Sequence, residues 1–537
     1  MQDINDKGVI PPHQSGISRK AENAVELPTE QAASQFYCKV KQRLLLVHLW
    51  KQLAGTLPVH FQLTDTNGHP VQGEAQKGLY LKIDIPGPGP GAGNKSDWVL
   101  IEEIVSSSES HRESTAFRVR PANNPMEGGS GVAHFYSRGA SSHFTVSREG
   151  KIVSAAIYDR NLELNTEAEG ADKLRNVAVG MAGMLIFSKL QWKSLTEGLV
   201  KESGGTFRDK VIVITGATGG VGRVTAWEFA RQGAKVALLA REPVQLEATK
   251  KEVEALGGVA LPISTDVASA TAVDTAAEQI ERALGPIDVW VNNAMNSVFA
   301  PVSDITPEEY KRVTEVTYLG VVYGTMSALK RMKRRDQGSI VLVGSALAYR
   351  GIPLQSAYCG AKHGIQGFYD SLRTELLHEK SKIKTCMVQL PAMNTTQFGW
   401  ILSKLPNKPR PMGKIYAPEV AARAIVFAAS HNRREILVGF PSYQAIIGNK
   451  IAPWYADHVL AENGYDGQQT DEPANPHRSN NLWEPVHEDR GAYGDFSAHA
   501  TGKSLTLWAS MNRNLVRAVA GLALLAMALA VRARVRE

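Results

Sequence analysis

Val211-Ile212-Val213-Ile214-Thr215-Gly216-Ala217-Thr218-Gly219-Gly220-Val221-Gly222 is the stretch from which the fold of this chain follows. Its aliphatic run has no polar alternation, the pattern of a parallel strand buried on both faces. A glycine-rich turn ends the run and opens a helix. Glycines there let the backbone turn tightly and approach a pyrophosphate, whose charge then lies at the positive end of the helix dipole. Gly216, Thr218, Gly219, Gly220, Val221 and Gly222 are therefore candidate cofactor-binding residues. In isolation such a turn says little; between a strand and a helix it signals a nucleotide site.

Reading outward, six more apolar runs follow: KVALLA (235–240), VALPI (259–263), IDVWV (287–291), SIVLVG (339–344), KTCMVQL (384–390) and EILVG (435–439). Helical stretches separate them. The alternation predicts a Rossmann-type, doubly wound parallel α/β sheet over residues 207–455. The second run ends at Arg241, where an Asp or Glu would bind a ribose 2′-hydroxyl and an Arg suits a 2′-phosphate, so NADP(H) is the expected cofactor. Arg223, just past the glycine turn, is a possible second contact. Asp266 and Val267 follow the third run, and Asn293 and Ala294 the fourth, at the carboxyl edge of the sheet where ligands bind in such folds. An Asp there can accept from an adenine amino group, and Asn293 can tie neighbouring strands together.

Tyr358-Cys359-Gly360-Ala361-Lys362 places a phenol and an ammonium four residues apart, on one helix face. A phenol titrates near pH 10, too high to both give and take a proton at neutral pH, and a neighbouring ammonium favours the phenolate. Ser345 ends a strand and can hydrogen-bond a substrate oxygen. Each residue alone is a weak signal; their order behind a nucleotide turn is a strong one.

With these motifs in place, the sequence resembles the short-chain dehydrogenase/reductase family, in its compact single-domain branch. The resemblance rests on TGATGGVG, on DV at 266–267, NNA at 292–294, Ser345 and YCGAK, and covers about 240 residues. It implies hydride transfer between NADP(H) and a carbonyl or alcohol, with Ser345, Tyr358 and Lys362 catalytic and Lys362 also on the nicotinamide ribose. It places Pro391 and Thr395 beside the nicotinamide. It also puts Thr317, catalytic by position, where the family carries Asn in a proton relay. Ala392 departs from the family's Pro-Gly, and NNAM from its NNAG. The stretch 393–416 coincides with the family's substrate loop, where Phe398, Trp400, Ile401 and Leu402 suggest an apolar substrate, packing on the sheet being the alternative.

The remaining sequence is less specific. Residues 1–28 read as a disordered leader without signal-peptide character. Residues 29–205 read as an α+β domain: a helix over about 29–54, alternating strands to 165, a hairpin tip at Arg148–Lys151 and a long helix near 171–200. Loops are expected at 86–93 and 126–131. Residues 456–504 read as an irregular extension. In the tail, 505–537, the run AVAGLALLAMALAV (518–531) between arginines is either a membrane anchor or surface helix, or a segment docked on another apolar surface. Of 537 residues 43% are hydrophobic and 21% charged, which excludes wholesale disorder. A net charge of +7 without a basic stripe argues against nucleic acid binding. The basic run Lys330–Arg335 is expected at a helix end, facing solvent. Cys38, Cys359 and Cys386 offer neither disulfide nor metal spacing and suit a reducing cytoplasmic setting. A homo-oligomer is expected. Two rival functions stay open: an NADPH-binding protein of low catalytic competence, motivated by Thr317 and Ala392, and a lipid or apolar-ligand carrier module (residues 29–205) fused to a reductase.

Overall fold

The run at 211–215 becomes strand β8, an interior strand of a seven-stranded parallel sheet. The computed structural model describes residues 17–55, 59–84, 96–126, 134, 136–163, 191–475 and 477–522. They form two compact units, the first comprising Met1–Ser203 with Glu254–Gly257, the second Gly204–Val253 with Gly258–Glu537.

In the first unit, strands β1 (Ile17–Glu26), β2 (His60–Thr64), β3 (Tyr80–Asp84), β4 (Asp97–Ser108), β5 (Arg112–Pro121), β6 (Ser141–Glu149) and β7 (Ile152–Leu162) make one antiparallel sheet of order β1-β7-β6-β5-β4-β3-β2. Helix α1 (Glu30–Leu45), capped by Thr29, packs Phe36, Val40 and Leu44 into the same core as Phe117 and Phe144 of the sheet. Trp50 completes it, stacked 5.9 Å from Phe117 and tilted against Phe144 at 4.8 Å. The expected hairpin is present: Glu149 pairs with Ile152 around Gly150, whose φ is +57°. One expectation is corrected. Residues 17–26, read as leader, form strand β1 along β7, and their mostly polar side chains are tolerated because the strand lies at a sheet edge. The helix near 171–200 falls largely outside the described residues, its part 191–200 being helical, and the loop at 86–93 and most of 126–131 lie outside them too.

The second unit holds β8 (Val211–Thr215), β9 (Lys235–Ala240), β10 (Val259–Ser264), β11 (Ile287–Asn292), β12 (Ser339–Ser345), β13 (Lys384–Leu390) and β14 (Glu435–Leu437). Their order is β10-β9-β8-β11-β12-β13-β14, every pair parallel. All of β8 and β12 is buried, as the unbroken apolar runs require; β10, at the edge, is largely half-buried and tolerates Pro262. Helices α2 (Gly220–Ala230), α3 (Ala270–Leu284), α4 (Gly320–Met332), α5 (Ser356–His378) and α6 (Pro418–Ser430) sandwich the sheet. Helices α3, α4 and α5 bury Val273, Ala277, Ala328, Ile365 and Tyr369 against Trp290 and Leu342. Helices α2 and α6 pack on one another and on β8, β9, β12 and β13. The strand order reverses between β8 and β11, which opens a crevice at their carboxyl ends.

The basic run at 330–335 does end α4, but Arg331 does not face solvent. It is buried, and its Nη1 lies 2.5 Å from Oδ1 of Asp274. Lys330 and Arg331 together hold the Asp274 carboxyl well below the usual carboxylate range. In the tail, Leu505–Met511 and 513–522 are helical, with Leu515, Val519 and Leu522 exposed. Among the described residues no helix is long and apolar enough to cross a membrane; residues 523–537 lie outside them.

Candidate active site

The crevice opens from the glycine turn, whose backbone only glycine accommodates. Gly216 and Gly220 have φ of +64° and +50°. A methyl group on Gly216 would sit 2.8 Å from Cα of Ala294, and one on Gly222 would run into the carbonyl oxygen of Gly216. Asn293 locks this approach. Its Nδ2 donates to the carbonyls of Thr215 (3.0 Å) and Gly216 (3.1 Å), while its amide and that of Ala294 donate to Thr215 Oγ1 (2.9 and 3.0 Å). Helix α2 starts here with Gly219 as its N-cap and no side-chain cap, so its first N–H groups are left for a ligand.

A cavity of about 380 Å³ extends from this turn across the sheet edge. Gly216, Thr218, Gly219, Gly220, Val221 and Arg241 line one end; Asp266, Val267, Asn293 and Ala294 follow. Ser345, Tyr358, Lys362, Pro391 and Thr395 line the other. The structure thus brings these residues to one cavity; of those singled out in the sequence, Gly222, which lies behind the turn, Thr317, Arg223 and Leu402 are not on its wall.

Thr317 is fully buried in a π-helical turn, Glu315–Leu319. Its hydroxyl donates to the carbonyl of Asn296 (2.8 Å) and accepts from the Asn296 amide (3.0 Å). The side chain expected in a relay therefore fixes the backbone of Asn296, which itself lines the cavity.

Tyr358 lies in the first turn of α5 and Lys362 in the next. The Lys362 Nζ is 5.5 Å from the centre of the phenol ring and donates to the carbonyl of Val343 at 2.7 Å. Only 2% exposed, Lys362 is pulled down to about 8 by burial. Burial also pushes the Tyr358 hydroxyl well above the ordinary tyrosine value, the Ser345 hydroxyl acting the other way. For both groups the cost of burying a charge is the largest influence, and it acts against the acidified phenol expected from the spacing.

At the other end, burial pulls Arg241 below the usual guanidinium value. Its Nη1 donates to the carbonyl of Trp483 (2.6 Å) and its Nη2 to that of Asn481 (2.5 Å). Among the described residues it has no ion-pair partner. Asp266 does: its Oδ2 accepts from Arg312 at 2.7 Å and its Oδ1 from the Ala268 amide at 3.0 Å. Burial alone would raise this carboxyl; the Ala268 amide and Arg312 outweigh it and hold it below the usual range. Arg223 does not reach the cavity. It is buried between Glu252 (Nη2–Oε1 2.7 Å) and Asp489 (Nη1–Oδ1 2.5 Å), whose charges overcome the cost of burial, so its guanidinium is committed.

A dinucleotide fits these residues. Buried Oγ1 atoms of Thr395 and Thr396 have no hydrogen-bond partner among the described residues, and a Cβ on Gly220 would meet Thr395 at 2.9 Å. Two unsatisfied hydroxyls beside a glycine turn suit polar ligand groups. Thr396, Gln245, Asn296, Asn481, Pro485 and Val486 also line the cavity and escaped the sequence reading; only Thr396, next to Thr395, carried a local signal. Phe398, Trp400 and Ile401 line it as well, whereas Leu402 pairs with Val298 outside it.

The family described as short chain dehydrogenase matches residues 210–404. An uncharacterized oxidoreductase, YxnA of Bacillus subtilis, is 33% identical over 279 residues, covering 52% of this chain and 78% of that protein. The dehydrogenase/reductase SDR family member 7B of Bos taurus is 34% identical over 205 residues, 37% of this chain and 61% of its own length. The 17-beta-hydroxysteroid dehydrogenase 13 of Rattus norvegicus is 29% identical over 264 residues, 49% of this chain and 84% of its own length.

Proposed function

We propose that this chain, which belongs to the short-chain dehydrogenase family, transfers a hydride between NADP(H) and a carbonyl or alcohol carbon of an apolar substrate. The family makes it an oxidoreductase with a nicotinamide cofactor; the choice of NADP(H), the residue roles and the substrate class are our reading. One observation carries it: a single cavity joins the glycine turn and Arg241 to Ser345, Tyr358 and Lys362. A bound nicotinamide would supply or accept the hydride. In reduction, Ser345 donates a hydrogen bond to the substrate oxygen, and Tyr358 gives that oxygen its proton as the carbonyl becomes an alcohol. In oxidation both steps run backwards. Lys362, aligned by the Val343 carbonyl, favours the phenolate that remains. Phe398, Trp400, Ile401 and Met412 on the cavity wall support an apolar substrate.

Arg241 supports NADP(H) because a half-buried guanidinium, near Asp266 and Glu484 but in an ion pair with neither, keeps N–H groups for an anion. Arg241→Ala should weaken NADPH about ten- to a hundredfold, the worth of a charge-assisted contact, and leave NADH within about twofold. Equal losses for both cofactors in calorimetric titrations would refute the assignment. Among the described residues of the first unit, Trp50, Phe144, Asp159 and Trp192 line a cavity of about 80 Å³.

A further inference from the structure

Residues 481–489 lie far along the chain from the nucleotide motifs and outside the span matched by the family. Their sequence, Asn-Leu-Trp-Glu-Pro-Val-His-Glu-Asp, shows no nucleotide signature. Yet they run along the carboxyl end of β9. Besides the two carbonyls on Arg241, Gln245 Nε2 donates to the carbonyls of Val486 (2.5 Å) and Glu488 (2.9 Å), and His487 Nδ1 lies 2.8 Å from Oε2 of buried Glu242. Both ends are anchored. Leu482 is fully buried with Val298, Ala300, Val313 and Ala357, its carbonyl accepting from Arg312 Nε at 3.1 Å; Asp489 pairs with buried Arg223. Between the anchors, Pro485 and Val486 line the cavity together with Arg241, Glu242 and Gln245.

We propose that Asn481–Asp489 is a strap that completes the adenosine half of the nucleotide site and sets its preference for a 2′-phosphate by holding Arg241. The proposal rests on the NADP(H) reading above. Two carbonyls on one guanidinium fix its plane and leave its other N–H groups for an anion. A guanidinium freed from the strap would have to be ordered anew each time a nucleotide binds, and that entropic cost falls on the ligand that needs the charge. The carbonyls add negative dipole ends, and the carboxylates of Asp266 and of Glu484 in the strap act on the guanidinium without an ion pair to it, so its remaining N–H groups stay open to a phosphate.

The test uses the full chain. Leu482→Ala and Asp489→Asn each loosen one anchor without touching a cavity group. Both should weaken NADPH roughly three- to tenfold, the cost of ordering one long side chain, with NADH held within about twofold. If both variants keep the wild-type NADPH-to-NADH ratio while Arg241→Ala loses it, the strap is overturned and the cofactor reading stands. If Arg241→Ala keeps the ratio too, both fall. Hydrogen exchange on the unaltered protein covers the case in which a variant does not fold. NADPH should slow exchange in peptides spanning 481–489 more than NADH does; equal protection by the two would overturn the proposal.

Discussion

Tyr358→Phe should lower turnover of carbonyl substrates by about a thousandfold, within the range for loss of a general acid, while NADPH affinity stays within about threefold. Phe keeps the ring that lies 5.5 Å from the Lys362 ammonium and removes only the hydroxyl. That hydroxyl, pushed up by burial, carries its proton at neutral pH, the state a carbonyl reduction needs. The reverse direction needs the phenolate and should therefore improve as pH rises. Steady-state rates of NADPH oxidation, with calorimetric binding as control, read the effect. A variant as active as the wild type would remove Tyr358 from the chemistry. Wild-type protein that binds NADPH yet oxidises none across a broad carbonyl panel would instead favour the low-competence alternative, to which the Thr317 hydroxyl bonded at Asn296 gives some physical basis.

Lys362→Met should cost about a hundredfold in turnover and also change how stability depends on pH. Met has nearly the same length but no charge to bury and no donor for the Val343 carbonyl. In the wild type Lys362 is lowered to about 8 against 10.5 unfolded. Between these values the unfolded chain binds a proton that the folded chain releases, so stability rises with pH. Across pH 8 to 10 the gain is on the order of 2–3 kcal/mol. Tyr358, raised above its unfolded value, opposes it only at higher pH. Urea melts of both proteins across that window should show the wild type gaining stability relative to the Met variant. Parallel curves would mean that the buried ammonium titrates normally.

The parallel sheet was legible because its strands are buried on both faces and therefore written as unbroken apolar runs, and because the glycine turn marks β8 in place. Tyr358 and Lys362 were legible through helical spacing. What escaped depends on contacts between distant parts of the chain. Position beside the glycine turn suggests Arg223 as a phosphate contact, while the carboxylates that claim it, Glu252 and Asp489, stand 29 and 266 residues away. Thr317 was given a relay role by position, while its hydroxyl is captured by Asn296, in a loop no local pattern describes. The strap was invisible since only Leu482 and Val486 are buried among its nine residues, too few for any periodicity. Strand β1 was missed because an edge strand with polar residues on both faces shows no apolar alternation.

The meeting of phenol and nicotinamide is tested most directly by titrating tyrosinate absorbance in wild type and Tyr358→Phe, whose difference isolates one phenol among fifteen tyrosines. Without cofactor that phenol should ionise above the ordinary value of about 10. Saturating NADP⁺, whose ring carries a positive charge, should move it down by about one unit or more, and NADPH, whose ring is neutral, by much less. A difference curve unmoved by NADP⁺ would place the nicotinamide away from Tyr358 and contradict the account.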